Sequence, residues 1–252
     1  MHDTKKRANL LEIDLFKTEP PVQGRNESLG AFAYRALRDA IRAGRTPPGA
    51  HIRELEAAQW LNISRTPVRE AFHRIISEGL LTTGPWNGAM VAELDQKQLV
   101  DLYAVRETLE GTAASLAAKN ATAVEIRALF GIAATEAKER DDPSKLVVIN
   151  AKLHQMIYRA THNQYLLQSV TTVVDTLGLL RHSTFVLPGS IELARREHLE
   201  LIRAIRDGQA KRAESLARRH IRHALSMRLQ LHKREGYIRP SREGESNAKT
   251  RA

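Results

Sequence analysis

From Asp95 to Arg234 the sequence repeats one pattern six times: a capping residue, apolar positions at helical spacing, then a stop. Asp95 with Gln98 is a capping box that opens a helix to about Lys119, with Asn120 as its stop. Thr122 with Glu125 opens a second, ending near Arg140, and Asp142-Pro143 opens a third that breaks near His162-Asn163. A fourth covers Gln164–Ser183, and Pro188-Gly189 ends the loop after it. Ser190 opens a fifth, stopped by Gly208, and the sixth runs from about Ala210 to Arg234. Six apolar stripes on consecutive helices with short loops bury one another as an antiparallel bundle, here spanning 95–235.

Upstream the pattern changes. Leu29, Phe32, Ala33, Ala36, Leu37, Ala40 and Ile41 recur at helical spacing between a Ser28 cap and a Gly44 stop. A turn through Pro47-Pro48-Gly49 leads to a short helix from about Arg53 to Leu61, and Asn62-Ile63-Ser64 turns tightly into another. Ser64 is a good N-cap, Pro67 fits the first turn, and Gly79 stops this helix. Two extended runs follow, Leu80–Thr83 and Met90–Ala92, around Gly84-Pro85-Trp86-Asn87-Gly88. The order predicts a winged helix-turn-helix over 28–92, whose second turn-linked helix lies in a DNA major groove. The fold class is therefore mainly α: an N-terminal winged helix-turn-helix plus a six-helix bundle, flanked by a flexible arm (1–27) and a disordered tail (236–252).

Arg65, Thr66 and Arg69 sit in or beside the first turn of the helix opened by Ser64, and the arginines, four apart, point the same way. Two guanidinium forks and a hydroxyl at a positive helix end suit phosphate oxygens and guanine edges. Gly88 would let the wing backbone approach phosphates or the minor groove. Position carries this argument rather than charge: residues 28–92 hold eight arginines against five acidic residues, and no block of the chain dominates its net +10. Zero cysteines exclude disulfides, cysteine-ligated zinc and thiol catalysis, and fit a reducing cytoplasm. No apolar run approaches the roughly 20 residues of a membrane span, and the first 27 residues lack a signal peptide's apolar core, offering only the short amphipathic patch Leu10–Phe16.

Within the bundle, Asn150 and His154 share a face with Leu153 and Ile157; His198 lies with Leu201, Ile202 and Ile205; His220 centres the stripe Ala213, Leu216, Ala217, Ala224 and Met227. Imidazoles turned into one apolar interior must be hydrogen-bonded or ligate something. Satisfied core histidines are one reading. Three neutral imidazoles plus an oxygen donor, suiting zinc, nickel or another divalent transition ion, are the other. His223 rivals His220, while His51, His162, His182 and His232 read as surface or loop residues. Buried Arg106 needs an anion, which Glu110 supplies at i+4 or an effector's carboxylate supplies instead. A metal-dependent hydrolase is the competing class. Against it, no carboxylate is placed by spacing as a base, since Glu197 points about 100° from His198.

Residues 28–92 resemble the DNA-binding domain of the GntR family of bacterial transcription regulators, through Arg53-Glu54-Leu55, Ser64-Arg65-Thr66-Pro67-Val68-Arg69-Glu70-Ala71, Glu78-Gly79-Leu80-Leu81 and Asn87-Gly88-Ala89. Phe72 stands where a leucine is usual. The resemblance implies base contacts from Arg53, Arg65 and Arg69 and backbone contacts from Ser64, Thr66 and Gly88. Residues 95–232 resemble the FCD ligand-binding domain of the FadR-type branch, through Asp101-Leu102-Tyr103-Ala104-Val105-Arg106 with Glu110, Asn150 with His154, Glu197-His198-Leu199 and Arg219-His220-Ile221. Six helices suggest the VanR-like subgroup. That resemblance implies a divalent metal held by an aspartate and three histidines, and favours Arg106 as a clamp on an effector's carboxylate. The mechanism expected from both domains is a homodimer, paired through its bundles, on palindromic half-sites of double-stranded DNA, with a small carboxylate metabolite held by the metal and Arg106 as effector. Asn150 replaces the aspartate here, a neutral and weaker ligand. A regulator answering to the metal alone, without an organic effector, is the nearest alternative.

Overall fold

Ser28 opens helix α1 (Leu29–Arg42), its side chain accepting from the Ala31 N–H, and Phe32, Ala33, Ala36, Leu37, Ala40 and Ile41 form the buried face. After the turn at Gly49 come strand β1 (His51–Arg53), helix α2 (Glu54–Leu61), helix α3 (Arg65–Ser77) and strands β2 (Leu81–Gly84) and β3 (Gly88–Val91). Asn62 sits in the left-handed region at φ 53° and ends α2. An Asx side chain tolerates that conformation, which is how the chain turns into α3 within three residues. Val68, Ala71, Phe72 and Ile75 turn inward from α3, so Phe72 occupies a core position. The computed structural model describes residues 18–84, 88–139, 142–180 and 183–234. The Leu10–Phe16 patch, Pro85–Asn87, Arg140, His182 and the tail lie outside them. From Thr18 the described part of the arm is tied down: the Trp60 indole donates to the Thr18 carbonyl and Arg35 to that of Val22.

The wing differs from the two-stranded expectation. It is three-stranded in the order β1-β3-β2, all antiparallel, with Ile52 opposite Ala89 and Thr83 opposite Ala89 on the other side. A three-residue strand is too short to show alternation in sequence.

Two compact units result: Met1–Glu93 with Val174–Arg181, and Leu94–Val173 with His182–Ala252. The second carries α4 (Gln96–Asn120), α5 (Ala123–Lys138), α6 (Pro143–Arg159), the start of α7 (Gln164–Asp175), α8 (Ser190–Arg206) and α9 (Ala210–Arg234). Asp95, Thr122 and Asp142 cap their helices through side-chain oxygens, and Pro143 takes the first position of α6. Asn120 does not stop α4; it is the last helical residue, and its amide donates to the Thr161 carbonyl. Helix α9 packs along α4 and α8, and α5 against α6 and α8. Leu129, Leu153, Ile157, Leu201, Ile202, Ile205, Ala213 and Ala217 make the core.

The fourth bundle helix does not reach Ser183. It ends at Asp175, followed by 3₁₀ turns at Thr176–Leu179 and Thr184–Val186. Just past the break, a Cβ on Gly178 would lie 2.5 Å from the Arg42 Cα, so the close approach to α1 within the first unit requires glycine. Asp175 is buried, ion-paired to Arg42 at 3.0 Å, and burial pushes its carboxyl up despite that partner.

Candidate DNA-binding face and metal centre

The first turn of α3 presents Ser64, Arg65, Thr66 and Arg69 to solvent while Pro67 and Val68 are buried beneath them. Ser64 is the N-cap by backbone geometry, but its side chain makes no capping hydrogen bond, a correction to the role expected of its hydroxyl. The arginines are anchored at one end. Arg69 Nε and Nη2 each donate to the Glu54 carboxylate at 2.9 Å, and Arg65 Nη2 donates at 3.0 Å. These hydrogen bonds, that of Arg69 foremost, lower the Glu54 pKa against the effect of burial. Arg53, at the end of β1, keeps a 59% exposed side chain and lies 3.4 Å from Glu56. Gly88 has an internal reason to be glycine: opposite Arg53, a Cβ would lie 2.6 Å from the Ile52 carbonyl oxygen. His51 lies half-buried in β1 rather than in a surface loop.

In the second unit, α6, α8 and α9 bring His154, His198 and His220 together, with one ring nitrogen from each within 4.8 Å of the others. Ring centroids are 5.5 Å apart for His154–His198, 5.3 Å for His154–His220 and 4.8 Å for His198–His220. Behind each ring stands a buried carboxylate from another helix. His154 Nδ1 lies 2.7 Å from Glu110 on α4, His198 Nδ1 3.0 Å from Glu136 on α5, and His220 Nδ1 2.8 Å from Glu197 on α8. An ionised carboxylate only accepts, so Nδ1 is the protonated nitrogen in each ring and a neutral imidazole keeps its Nε2 lone pair. Burial, with the neighbouring rings adding, holds His220 down at about 4, so it is neutral at neutral pH.

This arrangement corrects the sequence reading of Glu197. It does point away from its neighbour His198, but into the next helix pair, where it also takes His223 Nδ1 at 2.6 Å. His223, with a 44% exposed side chain, stands outside the cluster that His220 joins. Glu136 was missed, although it continues the α5 stripe Leu129–Ala133 at helical spacing. His232, expected at the surface, is buried. Glu110 bridges His154 to Arg106, whose guanidinium it pairs through Nε. Burial would push the Glu110 carboxyl up; Arg106 and His154 override it and hold it well below the carboxylate range. Tyr158, its hydroxyl raised by burial and by Glu110, lines the cavity beside His154 and His220. Asn150, one turn before His154, is half-buried.

The site fits a cation on its own chemistry. His154 and His198 leave Nε2 buried without a hydrogen-bond partner, a cost that ligation removes. The carboxylates of Glu110, Glu136 and Glu197 stand behind the rings, balanced in part by Arg106 on Glu110 and by Arg219, 3.7 Å from Glu197, and the remaining negative charge favours a bound cation. Carboxylate–histidine pairs of this kind set tautomer and ring orientation for metal binding.

A winged helix-turn-helix unit and a helical unit with a buried histidine cluster point to the class of one-chain transcription regulators. Residues 29–91 match the family described as bacterial regulatory proteins, gntR family, and residues 101–223 match the FCD domain. The chain is 33% identical over 184 residues to a probable D-xylose utilization operon transcriptional repressor of Paenarthrobacter nicotinovorans, covering 72% of this chain and 80% of that one. It is 30% identical over 176 residues to the Nta operon transcriptional regulator of Aminobacter aminovorans, covering 69% and 82%. E. coli McbR/YncC shares the fold at TM-score 0.73 and 22% identity, over 81% of this chain and 99% of that one. The chain belongs to the gntR family, as a FadR-type member with an FCD domain: a DNA-binding transcription regulator and not an enzyme. No helix among the described residues is long and apolar enough to cross a membrane.

Proposed function

We propose that the protein is a cytoplasmic, dimeric regulator whose hold on a palindromic operator is set by a small organic acid bound with a divalent transition ion, zinc or nickel, in the bundle. Arg53, Arg65 and Arg69 read base edges, and Ser64, Thr66 and the wing at Gly88 fix register on the backbone. His154, His198 and His220 hold the ion, with Asn150 as a neutral fourth donor. When bound, the ion would supply a positive centre complementary to a carboxylate beside these buried rings. Arg106 is already engaged by Glu110, so an acid reaching it shares or displaces that partner. The observation that carries the reading is the set of three rings, each anchored at Nδ1 by a carboxylate, with the Nε2 atoms of His154 and His198 buried and unpartnered. Ligand control then requires different affinity for two geometries of the dimer.

Titration of chelator-treated protein with zinc or nickel, alone and with small mono- and dicarboxylates, tests this in an operator-binding assay. The operator is first selected from a random duplex pool. Modulation of operator affinity that needs metal and acid together is expected. Modulation by metal alone makes the ion itself the signal, and no response to either rejects the control proposed. Arg65→Ala should cost about 1–3 kcal/mol of operator affinity and relax base preference; unchanged affinity and selectivity would remove α3 from the groove.

A further inference from the structure

Glu54 is the first residue of α2 and 7% exposed, yet its carboxylate serves two surface arginines. Arg69 meets it as a fork, Nε on one oxygen and Nη2 on the other, both at 2.9 Å, and Arg65 adds a third bond at 3.0 Å. The arginine side chains nevertheless stay 48% and 53% exposed, for Arg65 and Arg69 respectively. A guanidinium has five N–H donors. Glu54 takes two from Arg69 and one from Arg65, leaving donors on both for an acceptor outside the protein.

We propose that Glu54 is the positioning residue of base reading: a sunken carboxylate that orients both forks before DNA arrives and opposes their use as loose phosphate binders. The inference rests on α3 being the recognition helix. Two physical effects point the same way. Long arginine side chains lose rotamer freedom when they bind, and a fork already held by a bidentate partner loses less of it. That favours the one arrangement of acceptors matching the held geometry, as on a base edge. Non-specific binding instead depends on net positive charge near phosphates, and a fixed negative charge between the arginines weakens it on any duplex. Glu54 thus acts in opposite directions on the two modes, raising selectivity through both.

A Glu54 of purely structural importance, as an acidic residue in the first turn of α2, would behave differently. Its loss would reduce the folded fraction and weaken both modes by the same factor. The experiment compares full-length wild type, Glu54→Gln and Glu54→Asp on the selected operator and on a scrambled duplex of equal length. Dissociation constants are measured across a salt series, with thermal melts of each variant. For Glu54→Gln, operator affinity should fall and scrambled-duplex affinity hold or rise, so that their ratio drops roughly tenfold or more, the scale of one bidentate base contact. The salt slope on the scrambled duplex should steepen by up to about one charge. Glu54→Asp keeps the charge with a shorter reach, so it should retain the wild-type salt slope and recover part of the ratio. Equal loss on both duplexes, with an unchanged ratio, overturns the proposal. If Glu54→Gln melts below the assay temperature, the Asp variant decides: a ratio identical to wild type overturns the proposal too. Wild-type protein that selects no sequence from the pool would instead reject the recognition-helix reading beneath it.

Discussion

Glu136 is the residue that best separates a metal centre from a polar patch in a core. It touches no candidate ligand atom of its own, only the Nδ1 side of His198, and both residues are almost wholly buried. Glu136→Gln preserves shape and removes the charge that fixes the ring's tautomer. Loss of such a partner typically weakens metal affinity about 10–100-fold, and competition with a chromogenic chelator measures this directly. Unchanged affinity would leave the carboxylates with a packing role alone. At the other site, Glu54 has its pKa lowered by Arg69 and Arg65 in the folded state. The stability from that pairing is complete above the unfolded value, about 4.3, and is lost as pH falls through the lower folded value. In acid titrations followed by tryptophan fluorescence, wild type should therefore lose stability more steeply than Glu54→Gln below about pH 4.3; parallel curves would mean that the arginine pairs contribute nothing to folding.

Element by element, helices were readable wherever a local chemical cue sets them. The caps at Asp95, Thr122 and Asp142 and the stop at Gly79 depend on a few neighbouring residues, and the helices begin and end there. What escaped the sequence depends on distant partners. Strand β1 exists because β3 pairs with it, and the glycine requirement at 178 comes from the backbone of α1, more than a hundred residues away in sequence. The histidine stripes were visible as periodicity, whereas their carboxylates come from other helices at separations such as 62 residues for Glu136–His198, beyond any spacing rule. Gly88 shows the same limit. Its role as a place for DNA to approach leaves out the crowding by Ile52, which already forbids a side chain. Gly88→Ala should push β1 from β3 and disturb Arg53, directly opposite. A loss of roughly 1–3 kcal/mol in the winged unit is expected, the scale of overpacking, read as a lower fluorescence midpoint in urea; a neutral substitution would show that the wing opens freely.

At the scale of the whole chain, two compact units and a histidine cluster that lies in the second make an unequal response to metal the natural test. Both tryptophans, Trp60 and Trp86, belong to the first unit by sequence position, whereas the bundle contributes most of the helix. Fluorescence therefore reports the winged unit, and far-UV circular dichroism reports chiefly the bundle. An ion that binds only the folded bundle stabilises it by about 2.7 kcal/mol at a hundredfold excess over its dissociation constant. For a unit of this size, that displaces the melting midpoint by roughly 5–10 °C. Chelator should lower the dichroism midpoint by that amount and added zinc or nickel should restore it, with the fluorescence transition moving less. Asn150→Asp supplies an anionic oxygen in place of a neutral amide, so it should widen the gap between metal-loaded and stripped protein. If stripping and reloading leave the dichroism melt unmoved, the buried Nε2 atoms of His154 and His198 answer to some ligand other than a transition metal, and the search for the effector starts from Glu110 and Arg106 instead.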